Sequence, residues 1–101
     1  MKSIFLETFG ESPILRVFDF LILNEEFDYS MIDIAKNSKI GYSTLKLFWK
    51  KLEKEKIVIM TRKIGKARMF KLNNENEIVK KIKEIYWIIT KNKVRSNLIY
   101  N

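Results

Sequence analysis

Apolar residues recur along this chain in different rhythms, and each rhythm predicts one kind of element. From Ile14 to Leu23 they are nearly continuous: Ile14, Leu15, Val17, Phe18, Phe20, Leu21 and Ile22 are interrupted only by Arg16 and Asp19. Ser12-Pro13 stands just ahead, an N-cap followed by proline at the first helical position. A helix to about Leu23 is expected, apolar on more than one face and therefore buried on more than one side. Further on, Leu45, Phe48, Trp49 and Leu52 fall in one stripe at 3.6-residue spacing, predicting a helix from Tyr42 to Lys56. Ser43, Lys46, Leu47, Lys50 and Lys54 lie on the opposite face. Ile57-Val58-Ile59-Met60-Thr61 is β-branched and reads as a strand, and Arg68-Met69-Phe70-Lys71-Leu72 alternates, with Phe70 and Leu72 facing the core. Ile64-Gly65-Lys66 supplies the hairpin turn, Gly65 being free to take positive φ. Finally Ile78, Ile82, Ile85 and Ile89 follow at spacings of four, three and four, a coiled-coil-like seam widened by Val79 and Tyr86.

The polar residues place the boundaries. Asn24 to Tyr29 is a polar loop, and Ser30 caps a helix from Met31 to about Ser38 whose Ile32, Ile34 and Ala35 point to the core. Lys39-Ile40-Gly41 is the turn before Tyr42. Asn73 or Asn74 caps the last helix, with Glu75 and Glu77 favourable at its positive dipole end. Val94 to Asn101 has no periodicity and is expected to be a frayed tail. The expectation is one domain over residues 1–101, mainly α with a small β-hairpin (an α+β fold). Two helices occupy 12–38, a third 41–56, the hairpin 57–72 and a C-terminal helix 74–91.

Charge changes this picture. Residues 36–71 carry twelve Lys and Arg against Glu53 and Glu55, whereas residues 1–35 set Lys2 and Arg16 against seven acids. The formal charge of +8 is thus concentrated on one unit, whose sign attracts a polyanion. The chain has no Cys and no His, so disulfides, zinc fingers and any His base or Cys nucleophile are excluded. With three Gly and no phosphate-cradling loop, no catalytic motif is present, and neither an enzyme nor a cofactor or metal site is expected. The opening Met1-Lys2-Ser3-Ile4-Phe5-Leu6-Glu7 lacks a signal-peptide core, and the run from Ile14 to Leu23 is too short to span a bilayer. A soluble, cytoplasmic protein without a membrane partner is expected.

The order helix, helix, turn, helix, hairpin is that of a winged helix-turn-helix. Three stretches carry a resemblance: Ser30-Met31-Ile32-Asp33-Ile34-Ala35-Lys36, Ile40-Gly41-Tyr42-Ser43-Thr44-Leu45, and Leu52-Glu53-Lys54-Glu55-Lys56-Ile57-Val58. They resemble winged-helix transcription regulators, especially archaeal ones. Thr61-Arg62-Lys63-Ile64-Gly65-Lys66-Ala67-Arg68 is similar to the wing of that family, and Phe5 to Leu21 to the helix preceding the motif. Lys56 stands where the family often has Gly, which predicts a differently shaped helix end. The resemblance implies a regulator of transcription that binds double-stranded DNA.

Physical chemistry assigns the contacts. Early residues of a recognition helix meet base edges in the major groove. Ser43 can reach several bases, Lys46 can donate to guanine, and Leu47 can meet a thymine methyl or pack. Tyr42 and Thr44 sit in the first turn beside phosphate, and Lys50 and Lys54 reach phosphates further along. Lys63 and Lys66 flank the wing tip, Arg62 or Arg68 can reach the minor groove or backbone, and Ser30 offers another phosphate site. A homodimer is expected because a small winged helix needs a second copy to read a full operator. Phe18, Ile78, Ile82, Ile85, Tyr86 and Ile89 are its candidate contacts, although the isoleucine seam can equally close the monomer core. Two further functions stay open: an architectural DNA binder, favoured by Lys over Arg, and a winged helix that docks proteins in a transcription or replication complex.

Overall fold

The computed structural model describes residues 3–100, with side chains through residue 96. Five helices and three strands follow in the order α1 (Ile4–Phe9), α2 (Pro13–Leu23), β1 (Tyr29–Ser30), α3 (Met31–Asn37), α4 (Tyr42–Lys54), β2 (Val58–Ile64), β3 (Ala67–Leu72) and α5 (Glu77–Tyr100). This is a winged-helix fold with an additional C-terminal helix. No helix among the described residues is long and apolar enough to cross a membrane.

Four of the five helices begin at a side-chain cap. The Ser3, Ser12 and Ser30 hydroxyls accept from the N–H groups of Leu6, Leu15 and Asp33. At the start of α5 the cap is Asn76, not Asn73 or Asn74: its Oδ1 accepts from Ile78 N at 2.8 Å and Val79 N at 3.2 Å. Asn73 instead accepts from Glu75 N and donates to the Lys56 carbonyl, tying the start of α5 to the end of α4.

Helices α3 and α4 end alike. Lys39 and Lys56 take positive φ, 58° and 57°. Behind Lys56, Ile57 N donates to Leu52 O at 2.9 Å and Lys56 N to Glu53 O at 3.0 Å; behind Lys39, Ile40 N donates to Ala35 O and Lys39 N to Lys36 O. These are two complete Schellman motifs in which lysine does what glycine usually does. The helix end at Lys56 therefore keeps the shape that glycine would give, and α4 stops at Lys54 because two residues later the chain has turned left-handed.

The sheet is three-stranded and antiparallel, with β3 between β1 and β2. Tyr29 pairs with Phe70 and Ser30 with Met69, so the end of the expected polar loop is a third strand. In the hairpin Ile64 pairs with Ala67, and Gly65 opens the two-residue turn at φ 61°. Met60 pairs with Phe70 and Arg62 with Met69, leaving Thr61 as the extra residue of a β-bulge.

One core joins these elements. Trp49 and Phe70 meet edge to face at 5.1 Å between ring centroids, fixing the base of the hairpin against α4. Phe5 of α1 packs on Tyr86 of α5 at 5.1 Å. The N-terminal region is thus two helices broken at Gly10–Ser12, not one. Helix α5 turns Val79, Ile82 and Tyr86 inward. Val79 and Tyr86 thus replace Ile78 and Ile85, each one position earlier in the chain, in the inward seam, while Ile82 belongs to both series. Helix α5 runs on beyond the seam to Tyr100, where a frayed tail is expected from Val94; Asn101 lies outside the described residues. Ile32, expected in the core, is exposed.

Candidate nucleic-acid interface

Helix α4 separates its faces sharply. Leu45, Trp49 and Leu52 are buried. Ser43, Lys46, Lys50 and Lys54 are exposed opposite them. Leu47 is 85% exposed, which removes a packing role and leaves an apolar side chain on a basic face. Lys46, Lys50 and Lys54 recur every fourth residue, so they form a row about 12 Å long at 1.5 Å rise per residue. The Lys46 ammonium lies 5.5 Å from the centre of the Tyr42 ring, a cation–π contact that holds it near the start of the helix. Gly41 caps that start without a side chain, so no cap competes for the first-turn N–H groups, which with the helix dipole favour an anion. Thr44 beside them is half-buried.

The start of α3, the start of α4 and the wing converge on one surface. Ser30, Tyr42, Lys66 and Arg68 line a single cleft of about 240 Å³. Tyr42, Lys46, Lys50 and Arg68 line an adjoining one of about 220 Å³. Ser30 holds the Asp33 N–H with its oxygen lone pair and keeps its own proton to donate. Residues from three separate segments are thus brought together on one surface.

The cations of this surface divide into two groups. Among the described residues, Lys46, Lys50, Lys54, Lys63 and Lys66 have no carboxylate at ion-pair distance. Both wing arginines have one. Arg68 lies 3.7 Å from Glu53 and over the Phe70 ring at 5.2 Å. Arg62 donates from Nε to Asp28 Oδ2 at 2.9 Å and from Nη2 to Oδ1 at 3.0 Å. The Arg62 fork, joined by the Thr61 hydroxyl, holds the Asp28 carboxyl down to a pKa of about 2, and Asp28 in turn raises that of Arg62. Sequence reasoning missed Asp28 because its partners lie more than thirty residues away and no pattern links them.

The six candidate dimer residues do not share one environment. Phe18 at 6% and Tyr86 at 2% exposure are occupied by the core of the single chain. Burial, with the Asp19 carboxylate nearby, raises the pKa of the Tyr86 hydroxyl. Ile82 and Ile89 are half-buried, whereas Ile78 and Ile85 are 55% and 43% exposed. The described residues include no group of three His, Cys, Asp or Glu able to hold a metal ion.

Among solved structures, the chain is similar to the adhesin competence repressor AdcR of Streptococcus pyogenes, at 17% identity and a TM-score of 0.60, over 85% of this chain and 66% of that one. It is similar to MepR, a transcription regulator of the Staphylococcus aureus multidrug efflux pump MepA, at 18% identity and 0.61, over 90% and 69%. A third is wild-type Lactococcus lactis ZitR in complex with DNA, at 17% identity and 0.57, over 80% of this chain and 57% of that one. The chain thus spans less than two thirds of AdcR and of ZitR, and at these identities the likeness establishes the fold. No family model matches the chain, and no curated protein matches it.

Proposed function

We propose that this protein is a transcription regulator that binds double-stranded DNA sequence-specifically in the cytoplasm as a homodimer. One observation carries the reading: Ser43, Lys46, Leu47, Lys50 and Lys54 stand exposed on the outer face of α4, beside the unpaired Lys63 and Lys66 of the wing. Helix α4 enters the major groove, where Lys46, Ser43 and Leu47 face base edges. Lys50, Lys54, Tyr42, Thr44 and the Ser30 hydroxyl meet phosphate, and the wing lies on the flanking backbone. Two copies, joined through the exposed Ile78 and Ile85 of α5, present their recognition helices about 34 Å apart. The archaeal type belongs to the same proposal and is supported by the three motif stretches alone.

Contact with roughly 6–10 phosphates per dimer makes affinity fall by about three to five decades between 50 and 200 mM salt. The test is selection of duplexes from a random pool at about 150 mM salt. An enriched two-fold-symmetric motif supports the proposal. A specific feature favours one rival: the α4 cations are all Lys, and both wing arginines are engaged within the chain, which suits an architectural binder of backbone. DNA recovered without a motif selects that rival. Failure to bind duplex at low salt selects a protein-docking role.

A further inference from the structure

The sequence assigns Arg62 to DNA, but its guanidinium is already engaged. Asp28 precedes β1, and Arg62 lies in β2, so their ion pair reaches across the middle strand β3. Successive residues of a regular strand point to opposite faces. Here Thr61 and Arg62 both reach one carboxylate, because Thr61 is the bulged residue. Asp28 accepts three hydrogen bonds from this pair and its side chain is only 12% exposed. Moving Arg62 to a phosphate would leave that enclosed carboxylate short of two charge-assisted bonds and would unmask a negative charge beside the basic surface.

We propose that Asp28 and Arg62 form an intramolecular clamp that fixes the wing against the helical body. Arg62 is then a positioning residue, and Lys63 and Lys66 are the wing residues that meet DNA. The DNA part rests on the function proposed above; the clamp does not, and it is tested without DNA.

Amide hydrogen exchange across residues 58–72 is measured for the wild type, Asp28→Asn, Arg62→Gln, Arg62→Lys and the Asp28→Asn/Arg62→Gln double variant. Each single variant is expected to speed exchange at Thr61, Arg62 and Met69 by roughly two- to fivefold, with the double variant no faster than either. Arg62→Lys keeps the charge but lacks the fork, so it should behave like Arg62→Gln. Wild-type exchange in the single variants overturns the clamp. With DNA, Asp28→Asn and Arg62→Gln should weaken binding by similar factors and leave the salt slope unchanged. If Arg62→Gln instead reduces the slope by about 0.9 while Asp28→Asn tightens binding, Arg62 is a phosphate contact and the positioning role falls. If the wild type binds no duplex, the DNA reading fails by itself and the exchange data still decide the clamp.

Discussion

Helices α4 and α5 are both amphipathic by sequence, yet they dispose of their apolar residues differently. In α4 the apolar face is occupied: Leu45, Trp49 and Leu52 are buried, and apart from the exposed Tyr42 and Leu47 the far side is polar. In α5, Val79 and Tyr86 are buried, but Ile78, Ile85, Trp87, Ile88 and Val94 remain exposed on other faces. A helix with one sharply bounded stripe has found its partner inside the chain. A helix with apolar residues left over leaves part of its apolar surface uncovered within the chain. In the proposed function the polar side of the first meets DNA and the exposed side of the second meets another copy.

The largest effect that sharpens this contrast lies within α4. Trp49→Ala should cost about 3–5 kcal/mol of stability, since it removes a fully buried ring packed on Phe70. Leu47→Ala, two residues away, should change stability by less than about 0.5 kcal/mol. Urea unfolding followed by circular dichroism checks both. Equal losses would mean that the two faces of α4 are not distinct in solution.

Helix α5 provides the next test. Ile85→Asp should leave the monomer folded but raise the dimer dissociation constant by on the order of a hundredfold, because a carboxylate would replace an apolar contact at the proposed seam. Sedimentation over a concentration series reads this directly. Should the variant unfold at every concentration while the wild type is monomeric, the outer face of α5 belongs to the single chain and the contrast with α4 collapses.

The polar face of α4 comes third. Lys46→Ala should reduce preference at one operator position by about 1–3 kcal/mol, whereas Lys66→Ala should weaken all duplexes alike and lower the salt slope by about 1. Binding to the selected operator and to random duplex, each across a salt series, separates the two. Equal losses from both variants on both DNAs would make the α4 face a backbone binder.

What the sequence showed of this arrangement follows from the range of the forces involved. The start of α2 at Ser12-Pro13, the cap at Ser30, the start of α4 at Tyr42 and the turn at Gly65 are local features, set by side chains within a few residues, and they stand where the pattern puts them. Helix α1 is six residues long and is held by Phe5 against Tyr86, some eighty residues away, although Ser3 and Gly10 frame it. Strand β1 exists only through its pairing with β3. Along α5 the isoleucine spacing does not reveal that Val79 and Tyr86 turn inward, because Tyr86 packs on Phe5 from the far end of the chain. The basic surface was legible because its lysines cluster in sequence. The division between free lysines and engaged arginines was not, because Asp28 meets Arg62 only in the folded chain.

The smallest effect concerns the junction where α4 ends and α5 begins. Lys56 holds a left-handed conformation at φ 57°, which costs a residue with a Cβ roughly 1–2 kcal/mol and glycine almost nothing. Glycine loses more freedom on folding, by about 0.5–1 kcal/mol, so Lys56→Gly should stabilise the protein by a net amount of about 0.5–1 kcal/mol. Its backbone partners are unaffected by the side chain: Lys56 N still reaches Glu53 O, and its carbonyl still accepts from Asn73 and Asn76. Lys56 is not among the cations of the α4 face, so affinity for DNA should stay within about twofold of wild type, less than 0.5 kcal/mol. Urea midpoints together with one binding isotherm measure both quantities. A stabilised variant with unchanged binding would show that the α4–α5 junction is fixed by backbone geometry. A destabilised one would mean that the Lys56 stem itself packs across the junction and couples α4 to α5 beyond their backbone hydrogen bonds.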